Sequence, residues 1–140
     1  MCRAFKRRMT PQKLRDRSKQ FAISVVKLSR ELPDLWHVRV IGRQLLRSGT
    51  AVAANHRACG RARSDREFCA RMGLVVEEAD ECQLWLELLV VAGPSLRSAD
   101  YERVAKEATE LTAIFTASHR TARETLRKRA AARTRKRATP

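Results

Sequence analysis

The chain has 140 residues, with 30 Lys and Arg against 15 Asp and Glu and a net charge of +15. Hydrophobic residues make up 44%, and no apolar run reaches the roughly 20 residues a membrane-spanning helix needs, so the composition excludes a helical membrane protein and suits one soluble, cytoplasmic domain with a real core. The positive excess sits in blocks: the first twenty residues hold eight Lys/Arg against Asp16, and the last twenty-one hold nine against Glu124, which leaves residues 21–119 electrically neutral.

Thr10-Pro11 opens the first predicted helix, because Thr caps orphan amides and Pro at the first helical position forfeits no hydrogen bond. Leu14, Phe21, Val25, Leu28 and Leu32 share a face, and Pro33 ends the run. Asp34 is the predicted cap of the second helix. Its apolar seam is Val38, Ile41, Leu45, Ser48, Val52, Asn55 and Cys59, a seven-residue repeat that suits bundle packing. Ser48 and Asn55 are the predicted buried polar groups, fixing register between helices. The small-residue run Gly49–Ala54 lets a neighbouring helix approach closely. Gly60 ends the helix.

Ser64 and Glu67 form a capping box for a third helix over about Asp65–Ala92. Phe68, Met72, Val75, Ala79, Cys82, Leu86 and Leu89 are its inner stripe, and Gly93-Pro94 stops it. Ser98 caps a fourth helix with Tyr101, Val104, Ala108, Leu111 and Phe115 inward. That helix can continue into the basic tail, since 120–137 contains no Gly or Pro. The short loops predict an all-α, antiparallel, up-down-up-down four-helix bundle. The boundaries are a basic N-terminal extension at 1–9, the bundle at 10–119, and a basic tail at 120–140, partly helical or disordered. Folding the second helix back on the third pairs Arg47 with Glu77 or Glu78, and Arg43 with Glu81.

Leu84–Ala92 is apolar around nearly its whole circumference, more than one buried stripe requires. Trp85, Leu88 and Val91 are therefore assigned to an oligomer interface. Catalytic and metal signatures are weak. The four cysteines have no CxxC spacing, and the Glu-x-x-His pairs of a di-metal bundle are missing. His56 and Cys59 lack an oxyanion hole or an orienting group, and Glu77, Glu78 and Glu81 read as ion-pair partners. No cofactor and no enzymatic activity are expected. The predicted binding residues are Arg7, Arg8, Lys13 and Arg17 at one end and Arg120, Arg123, Arg127, Lys128, Arg129, Arg133, Arg135, Lys136 and Arg137 at the other. Arg forks suit phosphate oxygens, and neither end carries the stacking aromatics of a single-strand base reader. The expected partner is RNA or DNA, held electrostatically with little sequence preference.

The segment Arg47-Ser48-Gly49-Thr50-Ala51-Val52-Ala53-Ala54-Asn55 and the run Arg57–Ser64 resemble the bacterial four-helix-bundle family known from the 23S rRNA intervening sequence. Glu67-Phe68, Glu77-Glu78-Ala79-Asp80-Glu81, Trp85-Leu86-Glu87-Leu88-Leu89 and Leu111–Phe115 extend the likeness over about 9–119. The resemblance implies small antiparallel bundles that assemble as homopentamers around a central channel, without a catalytic centre. A related bundle is the accessory protein of diversity-generating retroelements, a basic pentamer that works with a reverse transcriptase. That kinship implies a nucleic-acid scaffold, or alternatively an adaptor subunit for such an enzyme. The chain departs from the family pattern at His56, where a Tyr is expected, and in its longer basic tail.

Overall fold

The computed structural model describes residues 9–138, which form four α-helices and no strand: α1 (Pro11–Glu31), α2 (Trp36–Cys59), α3 (Asp65–Ala92) and α4 (Ala99–Ala138), with one 3₁₀ turn (Pro94–Leu96) before α4. The predicted caps fall where the sequence puts three of the four. Thr10 Oγ1 accepts from the Lys13 amide at 3.2 Å. Ser98 Oγ accepts from the Tyr101 amide at 3.1 Å. Ser64 Oγ accepts from the Glu67 amide at 3.1 Å, and Glu67 in return accepts from the Arg63 amide at 2.9 Å, one residue upstream of the usual capping-box partner. That amide, and then the Arg71 guanidinium, hold the Glu67 carboxyl down at about 2.

Asp34 does not cap α2. The capping position is Leu35, whose side chain accepts nothing, and Asp34 pairs with Arg39 at 2.5 Å. Pro33 keeps Leu32 extended and so ends α1, and α2 begins at Trp36, one residue later than a cap at Asp34 would give.

Phe21, Val25, Leu28, Val38, Leu45, Val52, Met72, Val75, Cys82, Leu86, Leu89, Val104, Leu111 and Phe115 pack into one core. Gly49 permits the tight approach of α1 to α2, since an added Cβ there would lie 2.8 Å from a Val25 methyl. Numbers rise on α2 as they fall on α1, from Gly42 against Leu32 through Gly49 against Val25 to Gly60 against Arg15. The α2 seam keeps its seven-residue period but not its 3-4 spacing. Ile41 and Asn55 are only half-buried, whereas Gly42, Gly49 and His56 are buried. Val38, Leu45, Val52 and Cys59 alternate with Gly42, Gly49 and His56, so the second member of each repeat lies four residues after the first. On α3, Cys69 takes the buried place expected for Phe68, which packs against the core half-exposed.

Ser48 keeps its predicted interhelical role. Cys82 Sγ donates to Ser48 Oγ at 3.2 Å, and Ser48 Oγ donates to Gln44 O at 3.0 Å. Burial pushes the Cys82 thiol up to about 11, so it acts as a small core side chain with a weak donor. Arg47 bonds Glu81 at 2.5 Å and lies 3.5 Å from Glu78. Arg43 and Glu77 are both exposed and make no ion pair, so the expected Arg43–Glu81 pair is corrected and, of the two acids expected for Arg47, Glu78 is the one it meets. The helices meet about one turn further along than a fold about residue 62 would give, so Arg47 takes the acid expected for Arg43.

Candidate nucleic-acid interface

Met9, Thr10 and Leu14 at the start of α1, Cys59 and Gly60 at the end of α2, Phe68 near the start of α3 and Ser118 late in α4 line one cavity of about 270 Å³. Both described termini therefore lie at one end of the bundle. A plane through the middle of α3 crosses α1 near residue 24, α2 near 49 and α4 near 114, following Arg47 to Glu81, Gly49 to Val25 and Gln83 to Thr112. On the terminal side of that plane, residues 9–24, 50–78 and 115–138 carry eighteen Lys/Arg against six Asp/Glu, or +12. On the other side, residues 25–49 and 79–114 carry eight against nine, or −1. Residues 9–20 and 120–138 supply nearly all of this excess, and the fold brings them together at one strongly cationic end. Such a field attracts polyanions and speeds their encounter.

The largest part of that charge is on α4. The helix continues through the basic tail to Ala138. Arg129 pairs with Asp65 at the start of α3. Every residue from Lys128 to Ala138 is exposed, so the nine residues after Arg129 overhang the bundle by about 13 Å at 1.5 Å per residue. Arg120, Arg123 and Arg127 are exposed along one face, and Lys128, Arg133, Lys136 and Arg137 cover the others. Arg135 is exposed on the same overhang.

At the other terminus the predicted set divides. Arg7 and Arg8 lie outside the described residues. Lys13 is exposed. Arg17 is already engaged within the bundle: its guanidinium bonds Glu107 at 2.5 and 2.9 Å and Glu110 at 2.5 Å, tying α1 to α4. The Glu107 hydrogen bond is the main reason its pKa rises. Sequence reading treated Arg17 as part of a charge block, and its partners lie about ninety residues away, where no local pattern shows them.

His56 is the functional-looking group the sequence underrated as a core residue. It is 6% exposed. The single Ser18 hydroxyl proton goes to Leu14 O at 2.8 Å, so the 3.2 Å contact to His56 is assigned as Nδ1–H donating to Ser18. Its ring tilts against Phe115 with centroids 5.1 Å apart. Burial, then the nearby Arg15 charge, lower its pKa and favour the neutral ring. Burial raises the Cys59 thiol, which makes it a poor nucleophile at neutral pH. Among the described residues no three metal-ligating side chains cluster.

On the outer surface, Leu84, Leu88 and Val91 recur along one face of α3, 47%, 37% and 80% exposed. Trp85 is not part of that face. It is half-buried against the core and donates from Nε1 to Glu81 at 3.1 Å. Leu84 takes its place. Extending the Arg47–Glu81 register along both helices brings Trp36 and Val40 of α2, 75% and 53% exposed, beside this stripe. No helix among the described residues is long and apolar enough to cross a membrane.

The sequence profile of the family described as 23S rRNA-intervening sequence protein matches residues 12–117. A crystal structure of a protein of unknown function from the S23 ribosomal protein family of Bacteroides thetaiotaomicron VPI-5482 is similar, with a TM-score of 0.67 and 29% identity over 76% of this chain and 97% of that one. No curated protein matches.

Proposed function

The chain belongs to the 23S rRNA-intervening sequence protein family, and from that premise we propose that it is a non-enzymatic, self-associating helical bundle of the cytoplasm that binds RNA or DNA through its cationic end. The observation that carries this reading is the +12 against −1 division of charge between the two halves of the bundle. In this reading α4 presents Arg120, Arg123, Arg127, Lys128, Arg133, Lys136 and Arg137 to phosphates, and Lys13 adds to them from α1. The contacts position the polymer without reading its sequence.

Copies join through Trp36, Val40, Leu84, Leu88 and Val91, with the homopentamer as the proposed assembly. Joining cationic ends turns weak phosphate contacts into one multivalent site. The same apolar stripe also supports a second reading, in which it docks a partner enzyme, such as a reverse transcriptase, and the bundle serves as its adaptor.

The test is fluorescence anisotropy of a labelled RNA duplex and a labelled DNA duplex across salt concentrations. The nucleic-acid reading expects log affinity to fall linearly with log salt, at roughly 0.7–0.9 per phosphate engaged. A flat response, or no binding at low salt, removes it and leaves the adaptor reading.

A further inference from the structure

A second cationic surface stands apart from the α4 overhang. Between α1 and α2 at the terminal end runs an open groove of about 680 Å³. Arg15 and Lys19 project from α1, and Arg57 and Arg61 from the α2 side. Arg57 and Arg61 stay one helical turn apart because α2 runs on into a bonded turn, the Arg61 amide donating to Ala58 O at 3.0 Å. Each row thus steps about 6 Å along its helix, close to the step between successive phosphates of one strand. The floor includes Ala53, Ala54 and Gly60, so a bulky backbone can sit low between the rows.

The groove holds one acid, Asp16, and it accepts from Gln12 Nε2 at 2.9 Å. Lys19, Arg57 and Arg61 have no carboxylate in ion-pair reach among the described residues, and Arg15 bonds only the neutral Gln12, at 2.7 Å. Helix electrostatics do not account for all of these charges. Cations suit the C-terminal turn of α2, but α1 carries no acid in its first turn, where the helix dipole favours one, and has Lys13 there with Arg15 just beyond. Four uncompensated cations facing one another cost repulsion that a polyanion would relieve. No aromatic side chain lines the groove, so it offers nothing for a base to stack on. It exposes no large apolar residue to enter a lipid surface.

We infer that this α1–α2 groove is a binding site for the sugar–phosphate backbone of a nucleic acid, engaged by Arg15, Lys19, Arg57 and Arg61 independently of the α4 tail. The inference rests on the nucleic-acid reading above and adds a site that joins Arg15 and Lys19 of the N-terminal basic block to Arg57 and Arg61 of the electrically neutral stretch. The test uses the full chain and compares three variants with wild type: R57Q/R61Q in the groove, R120Q/R123Q/R127Q on the tail, and R43Q as an exposed, unpaired arginine outside both. The probes are a labelled RNA duplex, a labelled DNA duplex, phosphatidylserine vesicles, and inorganic phosphate as competitor.

R57Q/R61Q is expected to lower the salt slope on both duplexes by roughly 1.4–1.8, two contacts at 0.7–0.9 each, while R43Q leaves it unchanged. Circular dichroism checks helicity, and K19Q/R57Q is the second pair should the first disturb it. A wild-type slope retained by both groove pairs, with the tail variant alone reducing it, overturns the groove and leaves the tail reading standing. Absence of any wild-type duplex binding overturns both. Vesicle binding that depends on Arg57 and Arg61 without duplex binding, or full displacement of the duplex by millimolar inorganic phosphate, also overturns the proposal.

Discussion

The two ends of this bundle use the same four helices to different effect. At the far end, Val38, Leu28, Leu86, Leu89 and Tyr101 close the core, and the Tyr101 hydroxyl donates to Leu86 O at 2.8 Å. Its outer wall is apolar, from Trp36 and Val40 across to Leu88 and Val91. At the terminal end the core admits Ser18 and His56, a cavity opens beside them, and the surface is crowded with exposed arginines. The secondary structure hardly differs between the ends, so the asymmetry is one of side-chain chemistry. Apolar surface hides from water wherever it meets a matching face, and clustered cations gather phosphate from a distance. A bundle so divided can join copies by one end and hold a polymer by the other.

The largest expected effect comes from neutralising the overhang. Arg120, Arg123, Arg127, Lys128, Arg133, Lys136 and Arg137 changed together to Gln leave the Arg129–Asp65 pair in place. The salt slope for duplex binding is expected to drop by up to roughly 5–6, with an affinity loss on the order of a thousandfold at low salt. Helicity and oligomer size are expected to stay as in wild type. The far end is tested next. L88D/V91D places two charges on the apolar stripe, and light scattering is expected to return the 16.0 kDa single chain. Duplex binding is then expected to weaken through lost valency while its cationic residues remain. Dissociation without any loss of binding would separate the two ends completely.

The sequence carried the helices well because caps and stops are local. Thr10, Ser64, Ser98 and Pro33 announce themselves within four residues, and all five inward residues named on α4 are buried. What it carried poorly depends on the third dimension. Asn55 and His56 differ by one position beside the seam, and only the packed helix decides that His56 turns in. Arg17 reads as one more cation in a block, yet it is bound to carboxylates on another helix, whereas the pairing of Arg47 with acids of α3 was legible and only its main partner, Glu81, was not. The groove of Arg15, Lys19, Arg57 and Arg61 was hidden for the same reason: its two pairs are about forty residues apart, one in the basic N-terminal block and one in the neutral stretch, and only the packed helices bring them together. The apolar excess of Leu84–Ala92 was visible, but not that Trp85 turns toward Glu81 and Leu84 takes the outer place.

A smaller effect is expected from His56. Folding lowers its proton affinity below the ordinary value of 6.5. Just below that pH the unfolded chain therefore binds more protons than the folded one, and stability falls as pH drops through the window. Chemical denaturation of wild type at pH 7.5 and pH 5.5 is expected to show this loss, and H56Q is expected to flatten it. The change belongs to the terminal end alone, so it distinguishes the polar layer there from the apolar layers beyond it.

The smallest expected effect lies between the ends, at Arg47. Its contact with Glu81 holds that carboxyl below its usual range, mainly through the direct hydrogen bond. Half of the Arg47 side chain is solvent-exposed, so water and salt compete for the same charges. A double-mutant cycle of R47A and E81A is expected to give a favourable coupling that shrinks as salt is raised. Arg43 provides the internal standard, since R43A with E81A is expected to couple hardly at all. Equal coupling for the two arginines would move the α2–α3 register by a turn, and with it the alignment of Trp36 and Val40 with the α3 stripe on which the apolar end depends.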